Sequence, residues 1–260
     1  MNVLGDRVQA NGLDLYFEIH GAGPALILLH GGLGTIDAIF QTLLPALAQH
    51  RTVIAPELQG HGHTADPGRP MTYEAMADDI AALIDHLGLT APDLAGFSVG
   101  GGVAQQLALR HPGKVGRLVV ISAPSATQGW WPEVLAGTAA MDPQAMVGSP
   151  WHEAYMRVAP KPGDWPRLVR NVSRLMNAPY DWTPRLAAEL QSPVLIVNGD
   201  ADSVRQDHAL AVFQTLGGAR HDGFAGGRPA SRLFIVPDAH HLNVLDHPLL
   251  PPAMLAFLDR

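Results

Sequence analysis

The stretch Asp93-Leu94-Ala95-Gly96-Phe97-Ser98-Val99-Gly100 decides the fold of this chain of 260 residues. Its first part is a short apolar run that predicts a buried strand, and the residues from Val99 to His111 follow a helical pattern. Glycines 96 and 100 flank Ser98 where the strand turns into the helix. In so tight a turn, a Cβ atom at either glycine would collide with neighbouring backbone. We therefore predict that Ser98 is strained, with its hydroxyl lifted clear of the sheet.

A serine hydroxyl becomes a good nucleophile only when a base removes its proton, so Ser98 needs a histidine and a carboxylate that orients it. Two later loops supply these residue types. One is Gly199-Asp200-Ala201-Asp202, after a predicted strand, and the other is Pro237-Asp238-Ala239-His240-His241, after the next. Both loops leave the same edge of the sheet as Ser98. The residues alone leave Asp200 and Asp202, and His240 and His241, as candidates.

Short predicted strands alternate with helical patterns along most of the chain, which predicts a mostly parallel sheet covered by helices on both faces. Thr35 and Thr72 are positioned to cap two helices, and Gly88 to end the second. The predicted strands are 13–19, 25–29, 52–55, 93–97, 115–122, 194–197 and 233–236. The predicted helices are 36–49, the segment between Thr72 and Gly88, 99–111, 206–216 and 248–258.

This alternation breaks between about residues 124 and 192, a stretch that contains all five tryptophans. The stretch is too long for a simple connection between a strand and a helix, so it predicts an inserted helical cap. The predicted division is a core formed by 1–123 and 193–260, with the cap at 124–192. A second irregularity is the glycine-rich stretch from 217 to 232.

Composition narrows the class of protein. The hydrophobic fraction is 47% and the formal net charge is −7, which fits a well-packed core and argues against nucleic acid and anionic membranes as partners. The absence of cysteine excludes disulfides and thiolate chemistry. The first residues lack the pattern of an export signal, and no apolar run reaches bilayer length. We expect a cytoplasmic protein with a small-molecule substrate.

From end to end, the chain resembles members of the α/β-hydrolase superfamily, in particular the cofactor-free esterases, C–C bond hydrolases and non-haem perhydrolases. The segments that carry the resemblance are His30-Gly31-Gly32-Leu33-Gly34, Gln59-Gly60-His61-Gly62-His63, Gly96 to Gly101, Gly199 to Asp202, and His241 to Pro248. One departure is Glu57, where these proteins usually have aspartate, and it concerns the support of a loop more than the chemistry.

The resemblance implies a catalytic triad of Ser98, Asp202 and His241, and no cofactor or metal. Asp202 corresponds to the acid that ends a G-x-x-D loop, and His241 to the histidine seven residues before a proline. The resemblance also implies an oxyanion hole formed by the amides of Gly32 and Val99, with Leu33 as the alternative to Gly32.

Several neighbouring residues have two interpretations. His30 is expected to be a buried structural histidine. His61 and His63, with Glu57 nearby, could bind a metal ion, because imidazole and carboxylate suit zinc. We favour the interpretation in which they only shape their loop, because the ligand spacing is weak.

The tryptophans and methionines of the insertion could form a small core of their own or line an acyl pocket. We predict that both are partly true. We expect Leu33, Trp130 and Trp131 to contact the substrate.

The sequence thus predicts a serine hydrolase that cleaves carboxylic esters of small to medium, uncharged acyl or aryl substrates. Nothing in the sequence separates esters from lactones or from the C–C bonds of ring-cleavage diketones. An alternative from another class is a ligand receptor that retains the triad and turns over slowly.

Overall fold

A computed structural model describes residues 4–219 and 230–260. Within these residues, eight strands form one sheet in the order β1-β2-β4-β3-β5-β6-β7-β8. The strands are β1 (Leu4–Ala10), β2 (Leu13–His20), β3 (Ala25–Leu29), β4 (Thr52–Pro56), β5 (Asp93–Phe97), β6 (Leu118–Ile121), β7 (Val194–Ala201) and β8 (Arg232–His240). From β4 to β8 in this order, all neighbouring strands are parallel, whereas β1 and β2 pair antiparallel. The predicted, mostly parallel sheet is confirmed.

Strand β1 was not predicted from the sequence. Its residues Leu4–Ala10 include only scattered apolar side chains, since the strand lies at the edge of the sheet and pairs only with β2. An edge strand with one wet face needs no continuous apolar run.

Ten α-helices lie within the described residues. They are α1 (Ile36–Ile39), α2 (Leu43–Leu47), α3 (Tyr73–His86), α4 (Val99–Arg110), α5 (Pro132–Ala139), α6 (Pro150–Val158), α7 (Trp165–Asn177), α8 (Thr183–Glu189), α9 (Gln206–Thr215) and α10 (Leu250–Leu258). The predicted caps are confirmed, because the hydroxyl of Thr35 accepts a hydrogen bond from Ala38 N and that of Thr72 accepts one from Ala75 N. Gly88 adopts the left-handed conformation expected after a helix.

The helix predicted over 36–49 was wrong, because two short helices, α1 and α2, occupy this segment. Pro45 explains the break. It has no N–H to donate, and in one continuous helix its ring would clash with the carbonyl group one turn earlier. In the first turn of a new helix, where α2 places it, proline is tolerated.

Each face of the sheet packs against its own apolar cluster. Strand residues that are neighbours in sequence point to opposite faces, so Leu94 joins the cluster beneath α3 and α4, whereas Ala95 joins the cluster beneath α2 and α10. The first cluster also includes buried residues of α7 and α8. The buried residues of α7 and α8 are therefore continuous with the core on the side of α3 and α4.

The predicted insertion, residues 124–192, contains the four helices α5 to α8 between β6 and β7. The exact domain boundaries stay a prediction. Of the glycine-rich stretch 217–232, residues 220–229 lie outside the described part of the chain.

Candidate active site

Ser98 occupies the sharp turn between β5 and α4, with φ 53° and ψ −119°. The predicted crowding is confirmed: a Cβ atom on Gly96 would lie 2.2 Å from the carbonyl oxygen of Gly100, and one on Gly100 would lie 2.5 Å from that of Leu29. Only glycine fits at both positions. The strain predicted for Ser98 is confirmed by its positive φ, which is rare for residues other than glycine.

A continuous chain of hydrogen bonds joins the three residues predicted as a triad. His241 Nε2 lies 3.0 Å from Ser98 Oγ, and His241 Nδ1 lies 3.0 Å from Asp202 Oδ1. Asp202 follows β7 and His241 follows β8, and these strands are parallel neighbours. The carboxyl ends of β5, β7 and β8 therefore bring the three side chains to one edge of the sheet.

The carboxylate of Asp202 is buried and fully hydrogen-bonded. Its Oδ1 contacts His241 and accepts from Val204 N, and its Oδ2 accepts from Gly199 N and from the hydroxyl of Ser122. Burial by itself raises the pKa of this carboxyl, but the hydrogen bond and charge of His241, together with the bonds from Ser122 and Gly199, outweigh it and hold the pKa below its ordinary value. The group is therefore a carboxylate at neutral pH.

The rival residues Asp200 and His240 lie apart from Ser98. The carboxylate of Asp200 accepts hydrogen bonds from Asp238 N at 3.0 Å and Ala239 N at 3.1 Å, so it ties the two loops together. The exposed His240 uses its Nδ1 to accept from Leu242 N.

Gly32 and Val99, predicted to form the oxyanion hole, lie side by side next to Ser98. A Cβ atom on Gly32 would lie 3.1 Å from Cγ2 of Val99 and 2.9 Å from Cγ1 of Val172, so a larger residue would not fit. Among the described residues, no hydrogen-bond acceptor is found for the N–H of either residue. Val99 is also the first residue of α4, where the helix dipole favours negative charge.

A cavity of about 210 Å³ opens onto Ser98 and His241. Its walls come from both the core and the inserted helices. Besides Ser98 and His241 they comprise Gly31, Gly32, Leu33, Ile39, Phe97, Trp130, Val134, Thr138, Met141, Met146, Trp151, Val172, Met176, Ser203 and Leu242. None of these described lining residues is Lys, Arg, Asp or Glu.

Of the three residues expected to contact the substrate, Leu33 and Trp130 line the cavity and Trp131 does not. The ring of Trp131 is 42% exposed, lies under the guanidinium of Arg205, and donates from Nε1 to the carbonyl oxygen of Asp202. Trp131 therefore supports the loop that carries Asp202. The two rings diverge because Trp130 pairs with Val204 in a short β-bridge. Successive residues of such an extended segment point in opposite directions.

The other tryptophans divide between the two predicted roles. Trp151 lines the cavity, whereas Trp165 and Trp182 are buried in the packed interior of the insertion. Met176, one of the methionines of the insertion, lines the cavity too, whereas sequence reasoning missed Leu242 and Val172. Leu242 follows His241 directly, and Val172 and Met176 are one helical turn apart, so adjacency and helical spacing were the available signals.

The residues weighed as a metal site bind one another and the backbone around them. Glu57 accepts hydrogen bonds from the backbone N–H groups of Ile36 and His63, and it pairs with His63 Nδ1 at 2.9 Å. Burial lowers the pKa of His30, and it lowers that of His61 to about 3, with the neighbouring His30 adding to the effect. Both histidines are therefore neutral at physiological pH.

Comparison with known proteins agrees with this fold. A family model described as the alpha/beta hydrolase fold matches residues 24–248. The chain belongs to this family. Within the described residues, no helix is long and apolar enough to cross a membrane.

Two curated relatives match part of the chain. It is 38% identical to the 2-hydroxy-6-oxo-2,4-heptadienoate hydrolase of Pseudomonas putida over 46% of this chain and 45% of the relative. It is 32% identical to a putative carbamate hydrolase of Caulobacter vibrioides over 62% of this chain and 60% of the relative. The chain spans between a third and three fifths of the length of the curated relatives it matches.

The structure is similar to that of the carboxylesterase CesB of Bacillus subtilis. The TM-score is 0.75 at 24% identity, and the match covers 99% of this chain and 92% of the other. At this identity the likeness shows the fold.

Proposed function

We propose that this protein is a serine hydrolase that cleaves carboxylic esters of small to medium, uncharged acyl or aryl substrates through an acyl-enzyme. One observation carries the proposal: the hydrogen-bonded chain Ser98–His241–Asp202 opens into a cavity whose described lining residues include no Lys, Arg, Asp or Glu. Such a wall suits an uncharged group, because an unpaired charge is costly to bury.

In the proposed reaction, His241 removes the proton from Ser98 as Oγ attacks the carbonyl carbon of the ester. The negative charge on the carbonyl oxygen is stabilised by the N–H groups of Gly32 and Val99. His241 then protonates the leaving alcohol, and the same histidine activates the water that releases the acid. Asp202 holds the imidazole in the required tautomer and stabilises the imidazolium.

The size of the cavity supports the stated substrate range. Its volume of about 210 Å³ lies below the range of about 300–1,000 Å³ usual for pockets that bind drug-sized ligands. Trp130, Trp151, Met141 and Met176 surround this space. The hydroxyl of Thr138 is already hydrogen-bonded within the protein, since it donates to Leu135 O and accepts from the amide of Asn177. A neutral group of modest size therefore fits best.

The main alternative is cleavage of a C–C bond in a ring-cleavage product; the Pseudomonas putida relative is named as a hydrolase of 2-hydroxy-6-oxo-2,4-heptadienoate. That relative's named substrate carries a carboxylate, whereas none of the described lining residues here is a Lys or Arg that would pair with one. This difference favours an uncharged ester.

A matched pair of substrates tests the proposal. Butyrate and succinate esters of p-nitrophenol have acyl chains of similar length, but the succinate monoester ends in a carboxylate. We expect kcat/KM to be at least about 10-fold lower for the succinate ester, because the charge is unpaired in the cavity. A lactone and a ring-cleavage dienoate complete the panel. Faster cleavage of the dienoate or the lactone than of any ester would contradict the proposal, and so would a single turnover without repetition, which indicates a receptor.

Trp130 and Trp131 form a matched pair for testing the inserted helices as a substrate selector. Trp130→Ala is expected to shift kcat/KM ratios toward bulkier acyl groups by about 10–200-fold, because the ring lines the cavity and lies edge-on to His241. Trp131→Ala should leave the ratios unchanged, since its ring lies outside the cavity.

Both tryptophan variants are compared with the wild type on a short and a long ester, with melting temperatures measured alongside. A lower melting temperature with unchanged ratios in Trp130→Ala would show that this tryptophan only stabilises the insertion.

A further inference from the structure

Ser122 is a buried polar residue that the sequence-based triad does not use. It follows β6 directly, it is completely buried, and its φ of 49° lies in the left-handed region that favours glycine. Its N–H donates to the carbonyl oxygen of Val197 in β7 at 2.8 Å. The backbone is therefore held in an unfavourable conformation by its pairing with the next strand.

A contact of the Ser122 side chain explains why this position holds serine rather than glycine. Its hydroxyl donates to Oδ2 of Asp202, the oxygen that faces away from His241. Oδ2 accepts one further bond, from Gly199 N, and Oδ1 accepts from Val204 N while contacting His241. Among the described residues, two side chains bind the carboxylate: Ser122 at Oδ2 and His241 at Oδ1. The other two bonds come from backbone N–H groups.

We propose that Ser122 is a positioning residue of the active site, whose hydroxyl fixes the rotation of the Asp202 carboxylate so that Oδ1 stays directed at His241. The inference rests on the proposed function of the triad. Without the hydroxyl, Oδ2 keeps only the bond from Gly199, and the rotation of the carboxylate about its Cβ–Cγ bond is fixed by three hydrogen bonds instead of four. The alignment of the imidazole with Ser98 then depends on fewer contacts.

The hydroxyl also has an electrostatic consequence. A donor to Oδ2 disperses the negative charge of Asp202, so its removal leaves more charge for the imidazolium of His241. The acid limb of the pH profile of kcat/KM should therefore move to higher pH.

Other charged groups near this loop are engaged elsewhere. Asp200 binds the backbone of 238–239, Arg205 pairs with Asp207, and His208 accepts from Ser125 N. None of them is hydrogen-bonded to Asp202 in the described structure, so the shift reports on Ser122 and His241.

The test compares Ser122→Gly and Ser122→Ala with Ser125→Ala. Glycine removes the hydroxyl but relieves the left-handed backbone, so Ser122→Gly should fold with a melting temperature nearer that of the wild type than Ser122→Ala, and yet lose about 10-fold in kcat, with KM nearly unchanged. Its acid limb should move up by about half a pH unit to one unit. Ser122→Ala should show the same loss with a lower melting temperature, because alanine keeps the backbone strain.

Ser125→Ala is the matched control, because Ser125 is also a buried serine near the end of β6, but its hydroxyl contacts Thr183 and His208 rather than the triad. This variant should keep the wild-type kcat and pH profile. A wild-type kcat or an unmoved acid limb in Ser122→Gly would overturn the proposal.

The rate of fluorophosphonate labelling distinguishes a failure of the Ser122 proposal from a failure of the proposed ester hydrolysis. The rate at which a fluorophosphonate labels Ser98 depends on activation of the serine and not on any ester substrate. Slower labelling of Ser122→Gly than of Ser125→Ala would support the role of Ser122 even if the wild type cleaved no ester. Equal labelling rates would refute that role, whatever the substrate.

Discussion

Ser98→Ala is expected to lower kcat for p-nitrophenyl esters by roughly four to six orders of magnitude, because the nucleophile is lost while the cavity and the proposed oxyanion hole remain. The protein should stay folded, since alanine adds no atom to the tight turn between β5 and α4. Steady-state kinetics on the ester panel and a melting curve check both statements.

Ser203 offers a matched control for this experiment. It also lines the cavity, but no hydrogen bond joins its hydroxyl to a histidine among the described residues. Ser203→Ala should keep most of the activity, and a fluorophosphonate should label Ser98 alone in the wild type. Labelling of Ser203, or near-normal turnover by Ser98→Ala, would contradict the assignment of the nucleophile.

The second large effect is expected at His241, which is hydrogen-bonded to Ser98, and at Asp202, which is hydrogen-bonded to His241. His241→Ala should cost nearly as much as Ser98→Ala, and Asp202→Asn somewhat less, at about 10⁴-fold in kcat, because the members of a triad act as a unit. The measurements are kcat and kcat/KM for each variant.

The chain contains its own controls for these two variants. Asp200 lies two residues before Asp202, and His240 lies next to His241, yet neither is hydrogen-bonded to Ser98 or to its partners. Asp200→Asn and His240→Ala should therefore change kcat by less than about 10-fold. If either of them abolished activity while Asp202→Asn or His241→Ala did not, the proposed triad would be wrong.

Much of the fold was predictable because its signals are local. The strand, the glycine pair and the helix around Ser98 are encoded within a few residues, and so are the caps Thr35 and Thr72. Prediction failed where a local signal was weak or was overridden. The edge strand β1 has little apolar pattern, and Pro45 divides a segment whose apolar spacing alone indicates one helix.

The sequence by itself determined that a strained serine stands at the end of a central strand, with acids and histidines in two later loops at the same edge of the sheet. The residues alone left the choice of acid and histidine open; the resemblance implied Asp202 and His241, and the tertiary structure shows the hydrogen bond that joins them. The pairing of β7 with β8 is irregular between Gly199 and Ala201, and there Asp200 binds the backbone of 238–239 whereas Asp202 binds His241. The tertiary structure also decided that Trp130 faces the cavity and Trp131 faces away, and that Ser122 reaches Asp202. These choices depend on contacts between residues distant in the chain, such as the 80 positions between Ser122 and Asp202, and no local pattern of residues encodes such contacts.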